Sequence, residues 1–175
     1  QRYLMGIPVL AKMSKKYINN LSYFFKSRKV DRNEVLIKQG DEPDSVFFMR
    51  QGQVRLVAEA GITTGEYVFP MPIETRVSRL FDLTNLAAPE SVGEWSILEG
   101  KESPYTVIAT TASKLYEMSK DDFRRKTGRK VLGAFQMAAQ MKHEWWMARL
   151  EHMKEMATQG VITPPSVAPE FAIRT

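Results

Sequence analysis

Cysteine is absent from all 175 residues. That excludes disulfides, thiolate nucleophiles and thiolate-ligated metals, and it is compatible with a cytoplasmic, intracellular setting. No apolar run approaches the roughly 18–20 residues that a bilayer span requires, so the chain is not expected to be membrane-embedded. Histidine is scarce: His143 and His152 are the two there are. They miss the i,i+4 spacing that places two metal ligands on one helix face, so no metal is expected. Zinc-finger spacing, an RNA-recognition motif and a helix-turn-helix are all missing, and nucleic acid is not the expected partner. The chain opens on Gln1 rather than Met, without a secretory pattern, and reads as a segment of a longer polypeptide.

What is present describes one globular domain. Hydrophobic residues make up 43% and charged residues 26% of the chain, enough of each for a core and a solvated surface. The formal charge of +5 is unevenly placed. Lys12, Lys15, Lys16, Lys26, Arg28, Lys29 and Arg32 crowd the start, and Arg124, Arg125, Lys126, Arg129 and Lys130 crowd a later helix. Such clusters suit nucleic acid or anionic surfaces, or serve as solvated helix faces balanced by acidic partners.

Apolar spacing at Leu10, Met13, Tyr17, Leu21 and Phe24 or Phe25 predicts a helix over Pro8–Lys29 within an N-terminal helical segment, residues 1–30. Val35–Ile37, Val46–Met49 and Val54–Val57 are short β-prone runs, punctuated by Gly40-Asp41 and Gln51-Gly52. The middle, Ala58–Ser91, is less regular. Tyr67–Phe69 and Ile73–Leu83 look extended, Pro70 and Pro72 confine them to an edge or loop, and Leu86–Pro89 reads as a turn. Tyr105–Thr110 and Lys114–Met118 are again strands. Several short strands separated by turns favour a small barrel or roll over a parallel sheet for residues 31–118.

Residues 119–158 read as helical. Ser119 caps a short helix ahead of Phe123, Gly128 interrupts it, and a longer helix follows from about Arg129 to Thr158. The long helix carries Ala134, Ala138, Met141, Trp145 and Ala148 on one stripe and Trp146, Leu150, Met153 and Ala157 on its neighbour. Two stripes exceed what one contact requires, so part of this helix is expected to meet another protein. Residues 159–175 read as a Pro-rich tail that is expected to be extended.

The order of these landmarks resembles the cyclic nucleotide-binding domain family. Asn33–Val57, NEVLIKQGDEPDSVFFMRQGQVRLV, carries the Gly40-Asp41 turn, the Phe47-Phe48 strand, and Gly52 with Val54. Val92–Thr106, VGEWSILEGKESPYT, has the frame of the phosphate cassette, and Lys114–Phe123 resembles the last strand and closing helix. The resemblance covers residues 8–155 and implies an α+β, mainly β fold: a jelly-roll-like β-roll with an N-terminal helix and C-terminal helices.

The resemblance also implies a site at Gly93, Glu94, Trp95, Ser96, Ser103, Tyr105 and Thr106, with Trp145 facing the base as a cap. Gly93-Glu94 opens a short helix whose N–H groups face the phosphate, and Glu94 accepts from the ribose hydroxyl. Ser103 stands where the family places a phosphate-pairing Arg, and Pro104, which has no N–H, stands at the next position. The nearest cation, Lys101, lacks the planar fork of a guanidinium. Losing the partner of a desolvated charge costs about 3–5 kcal/mol, roughly two to four decades in affinity. Trp95 and Tyr105 are bulky enough to fill the pocket.

The expectation is therefore a non-enzymatic regulatory or scaffolding module with a degenerate pocket. It would act through protein partners at the C-terminal helix, tail and basic patches, in a cytoplasmic, ciliary or membrane-associated assembly. The alternative is a sensor of a cyclic nucleotide (cAMP or cGMP) or of an uncharged purine nucleoside. No cofactor is expected otherwise. Glu94 with Glu99 lacks a nucleophile or metal, and does not read as a catalytic pair.

Overall fold

The computed structural model describes residues 2–68 and 70–158. Helices α1 (Arg2–Met5) and α2 (Lys15–Ser22) lead into strands β1 (Lys26–Val30), β2 (Val35–Ile37), β3 (Ser45–Gln51), β4 (Gln53–Val68), β5 (Met71–Ala87) and β6 (Ser91–Val92). The six-residue helix α3 (Glu94–Glu99) follows, then β7 (Thr106–Ala109), β8 (Ser113–Ser119), α4 (Lys120–Lys126) and the 30-residue α5 (Arg129–Thr158). Two four-stranded sheets, in orders β1-β8-β3-β6 and β2-β7-β4-β5, form a β-roll in which the observed strand pairs are antiparallel.

Strand alternation divides the interior in two. Successive side chains of a strand point to opposite faces, and β3 sends Phe47 and Met49 into the roll while Val46 and Phe48 face the helices. The roll's own cluster contains Val54, Leu56, Leu83 and Val107, closed by Trp146 and Leu150 of α5. The second cluster packs Leu4, Ile7, Ile18 and Leu21 from the N-terminus against Phe123, Val131 and Phe135. The α5 helix thus touches both, Val131 and Phe135 in one and Trp146 and Leu150 in the other.

The helix expected over Pro8–Lys29 is shorter than its apolar spacing suggested. Ser14 caps α2 by accepting from the Tyr17 N–H at 3.2 Å. The helix ends at Ser22, and Lys26–Val30 pairs with β8 from Lys26↔Glu117 to Val30↔Ser113. Leu10 is fully buried on a turn rather than on a helix. In the irregular middle, β4 and β5 form one long hairpin, paired from Gln53↔Ala87 to Val68↔Met71 with a bulge at Leu56/Val57. Pro72 sits on β5, the sheet edge, where its missing N–H is tolerated. Ala58, Ala60 and Ile62 alternate onto the face that meets α5, which covers the ribbon beyond the roll.

The closing helices follow their sequence signals. Ser119 accepts from the Asp122 N–H at 3.2 Å, acidic Asp121 and Asp122 occupy the first turn of α4, and Arg124, Arg125 and Lys126 occupy its last. Gly128, at φ 88°, separates α4 from α5. The proposed tail, 159–175, lies outside the described residues. Among those described, no helix is long and apolar enough to cross a membrane.

Candidate functional site

Gly93 sets the cassette. It opens α3 at φ 95°, and a Cβ there would meet the Ser45 carbonyl oxygen at 2.9 Å, so both conformation and space call for glycine. Gly100 (φ 64°) ends α3, with its N–H donating to the Ser96 carbonyl; the Lys101 N–H reaches the same oxygen at 3.0 Å. Glu94 and Ser96 are both buried.

Glu94 looks towards α5. Its side chain is 5% exposed, and Oε1 lies 2.8 Å from Lys142 Nζ. The other oxygen, Oε2, is buried without a hydrogen-bond partner. Lys142 also donates to the Ser91 carbonyl at 3.1 Å and to Glu90 at 3.4 Å. Burial alone would pull the Lys142 pKa down, but the charges and hydrogen bonds of Glu94 and Glu90 outweigh it and hold the ammonium above its ordinary range. The cation therefore clamps the cassette to α5.

Two aromatic rings, Tyr105 and Trp146, join the largely aliphatic cluster of the roll. Tyr105 is buried and meets Trp146 edge-on, with centroids 5.4 Å apart at 90°. Burial, and secondarily the Glu94 charge, push the Tyr105 phenol well above its ordinary pKa, so it stays neutral. Lys142 Nζ lies 5.7 Å from the Trp146 ring centre.

Ser103 and Thr106 make their hydrogen bonds within the protein. Ser103 is buried; its N–H donates to the Asp41 carbonyl at 2.8 Å and its own carbonyl accepts from Gly40 at 2.9 Å. Its hydroxyl donates to the Tyr105 carbonyl at 2.6 Å. Thr106 Oγ1 accepts from the Gln39 N–H at 2.9 Å. The Gly40-Asp41 turn and the cassette's return strand are thereby tied together. Lys101 is turned away, with Nζ 5.8 Å from the Trp95 ring centre.

Two expected placements change. Trp95 does not enter the roll: its ring stacks on His143 at 3.7 Å and 5°, and Nε1 donates to Gln140 at 2.9 Å. Trp145, expected over the base, is 57% exposed and carries Arg149 above its ring. Trp146 is the inward ring, because each residue turns a helix by about 100° and only one of two neighbours can face the roll. Lys142 was not anticipated at all. Of the two α5 stripes, Trp146–Leu150–Met153–Ala157 packs on the body, and Met141 and Trp145 of the other are exposed.

A cavity of about 160 Å³ touches Glu94 and Lys142 and is walled by Ile7, Pro8 and Val9, by Pro89, Glu90 and Ser91 at the edge of the roll, and by Phe135 and Ala138 of α5. Among the described residues no group of three or more acidic or histidine side chains is placed to hold a metal ion.

Neither a protein-family model nor a curated protein matches this sequence. Solved structures do match in fold. The regulatory subunit of a cAMP-independent protein kinase A from Trypanosoma brucei superposes with TM-score 0.66 at 16% identity, over 85% of this chain and 47% of that one. The corresponding subunit from Trypanosoma cruzi, bound to guanosine, gives 0.64 at 18% identity, over 86% and 49%. The regulatory domain of Toxoplasma gondii protein kinase A with cAMP gives 0.61 at 16% identity, over 80% and 48%. The chain thus spans about half the length of each, and it has the fold of cyclic nucleotide-binding domains.

Proposed function

We propose that this domain is a non-enzymatic regulatory or scaffolding module whose nucleotide pocket is closed by its own side chains, and that it works through protein contacts. The observation that carries this reading is the Lys142–Glu94 pair at 2.8 Å, backed by Tyr105 and Trp146 in the roll. The carboxylate that would receive a ribose hydroxyl already holds a cation. Ser103 offers no charge for a phosphate, and Pro104 offers no N–H. An intracellular setting, as part of a larger protein or assembly, accompanies the proposal.

The contact surface is the outer stripe of α5. Met137, Met141, Trp145 and Met156 are exposed large apolar side chains on a single helix. Their spacings of four, four and eleven residues keep them near one face, and methionines adapt to varied partners.

Isothermal titration with cAMP and cGMP at tens of micromolar is expected to give no heat. Saturable heat would overturn the reading. One observation favours a second reading, a sensor of an uncharged purine nucleoside. Glu94 Oε2 is a buried acceptor without a donor, suited to a sugar hydroxyl, and the T. cruzi neighbour is bound to guanosine. A nucleoside would not need the arginine that Ser103 replaces. Thermal shifts with adenosine and guanosine separate the two: the scaffold gives none, whereas a sensor gives a shift that Glu94→Ala abolishes.

A further inference from the structure

The charge of this molecule is segregated. Residues 1–30 and 123–143 hold 13 of the 25 basic residues and no acidic one. The rest of the chain sets the other 12 against all 20 acidic residues. Although far apart in sequence, the two acid-free stretches share one buried cluster, in which Ile18 and Leu21 of the first meet Phe123 and Val131 of the second. The Tyr17 hydroxyl donates to the Thr127 carbonyl, and Lys126 Nζ lies 5.5 Å from the Phe24 ring centre.

Around this seam Lys12, Lys15, Lys16, Arg125, Arg129 and Lys130 are exposed, and none is ion-paired with a described residue. Other basic residues of these stretches are engaged. Arg28 is held by Glu34 and Glu117, Lys142 by Glu94 and Glu90, and Arg124 donates to the Ile97 carbonyl at 2.7 Å. Asp121 and Asp122 open α4 beside Arg125, but no ion pair among the described residues joins either of them to this group. Like charges that outnumber their acidic neighbours and lack ion-pair partners suit a polyanionic partner.

The apolar residues of the lobe choose among polyanions. Tyr23 is 83% exposed and shares a shallow depression with Lys16. Met5, also exposed, shares one with Arg2 and Lys15. Amphipathic and apolar tips standing proud among lysines match a headgroup boundary, where the tips immerse and the ammonium groups stay with the phosphates. A nucleic acid asks instead for an element entering a groove or a stacking platform along a channel.

We propose that the helical lobe of α1, α2, α4 and the start of α5 is a docking surface for an anionic lipid bilayer, with Tyr23 and Met5 at the lipid interface. This goes beyond the scaffold reading and does not depend on the state of the nucleotide pocket.

Co-sedimentation of the 175-residue chain with phosphatidylcholine vesicles, with and without phosphatidylserine, tests it. Binding is expected only to the anionic vesicles and should fall with added salt. Each Lys or Arg near an anionic leaflet strengthens binding roughly fivefold, so Lys16→Gln/Arg125→Gln/Lys130→Gln should weaken it about a hundredfold. Tyr23→Ser, at a position too exposed to unfold the chain, should weaken it severalfold and leave the salt slope unchanged. The proposal fails if anionic vesicles bind nothing at low salt, or if the triple variant binds as the parent does. It also fails if duplex RNA at equal phosphate concentration strips the protein from the vesicles.

Discussion

Replacing Lys142 by methionine removes the one cation among the described residues that is paired with Glu94, while keeping most of the side-chain volume. The Glu94 side chain is 5% exposed, its Oε1 is 2.8 Å from Lys142 Nζ, and Oε2 has no partner. The substitution therefore strands a buried carboxylate. Breaking such a pair costs about 3–5 kcal/mol. The lysine side chain is itself 25% exposed, which lets water reach the vacated side and places the loss near the low end, about 3 kcal/mol. With a urea slope of ~2 kcal/mol/M, the unfolding midpoint should fall by roughly 1.5 M. Glu94→Gln/Lys142→Met discards both charges and should recover to within about 1 kcal/mol of the parent. The assay is a double-mutant cycle by urea denaturation, followed by circular dichroism. If the two single losses simply add, or if Lys142→Met shifts the midpoint by less than ~0.5 M, the pair is a solvated surface contact and the clamp does not exist.

Three further predictions concern the same region. Because the folded pKa of Lys142 is raised above 10.5, the coupling in that cycle should be fully present below pH 10.5 and lost as pH rises through the folded value. Burial first, with Lys101 adding to it and Glu144 and Glu99 opposing, lowers the His143 pKa below 6.5. Its stabilisation is thus present above pH 6.5 and lost as pH falls through the folded value, so the urea midpoint of His143→Gln should fall less steeply than the parent's on acidification. Gly100→Ala, with φ 64° and no neighbour in reach of a Cβ, should cost about 1–2 kcal/mol in the same unfolding assay. Gly93→Ala should cost more, because its Cβ also collides with the Ser45 carbonyl oxygen at 2.9 Å.

The pocket itself is tested by building the missing grip into it. Ser103→Arg/Pro104→Ala restores a guanidinium and a main-chain donor, yet Tyr105 and Trp146 still occupy the roll. No thermal shift with cAMP is expected relative to the variant's own ligand-free melting. A clear shift would show that the rings yield, and that charge alone had kept the ligand out.

The landmarks of the roll were readable because each is enforced locally. Gly40, Gly52 and Gly93 all take φ above 89°, a region costly for other residues. The alternation of Val46–Met49 sorts side chains between two cores whatever the partner strands are. The N-terminus misled for the opposite reason. Lys26–Val30 becomes a strand because β8, over eighty residues later, pairs with it, and no local period carries that information. The outer halves of β4 and β5 likewise depend on α5 lying across them.

At the site, Ser103 and Pro104 could be judged from residue type alone, since neither can supply what a phosphate needs. Trp145 and Trp146 could not be told apart by type, only by phase. Val131, Phe135, Ala139, Trp146 and Leu150 are the buried positions of α5, and that stripe passes through residue 142. Every other member of it is apolar. A lysine phased onto such a stripe must find an anion or leave the helix unpacked, and among the described residues Glu94 is the only buried carboxylate. The clamp became visible only once the structure fixed the phase of α5, because neither apolar stripe read from the sequence passes through residue 142.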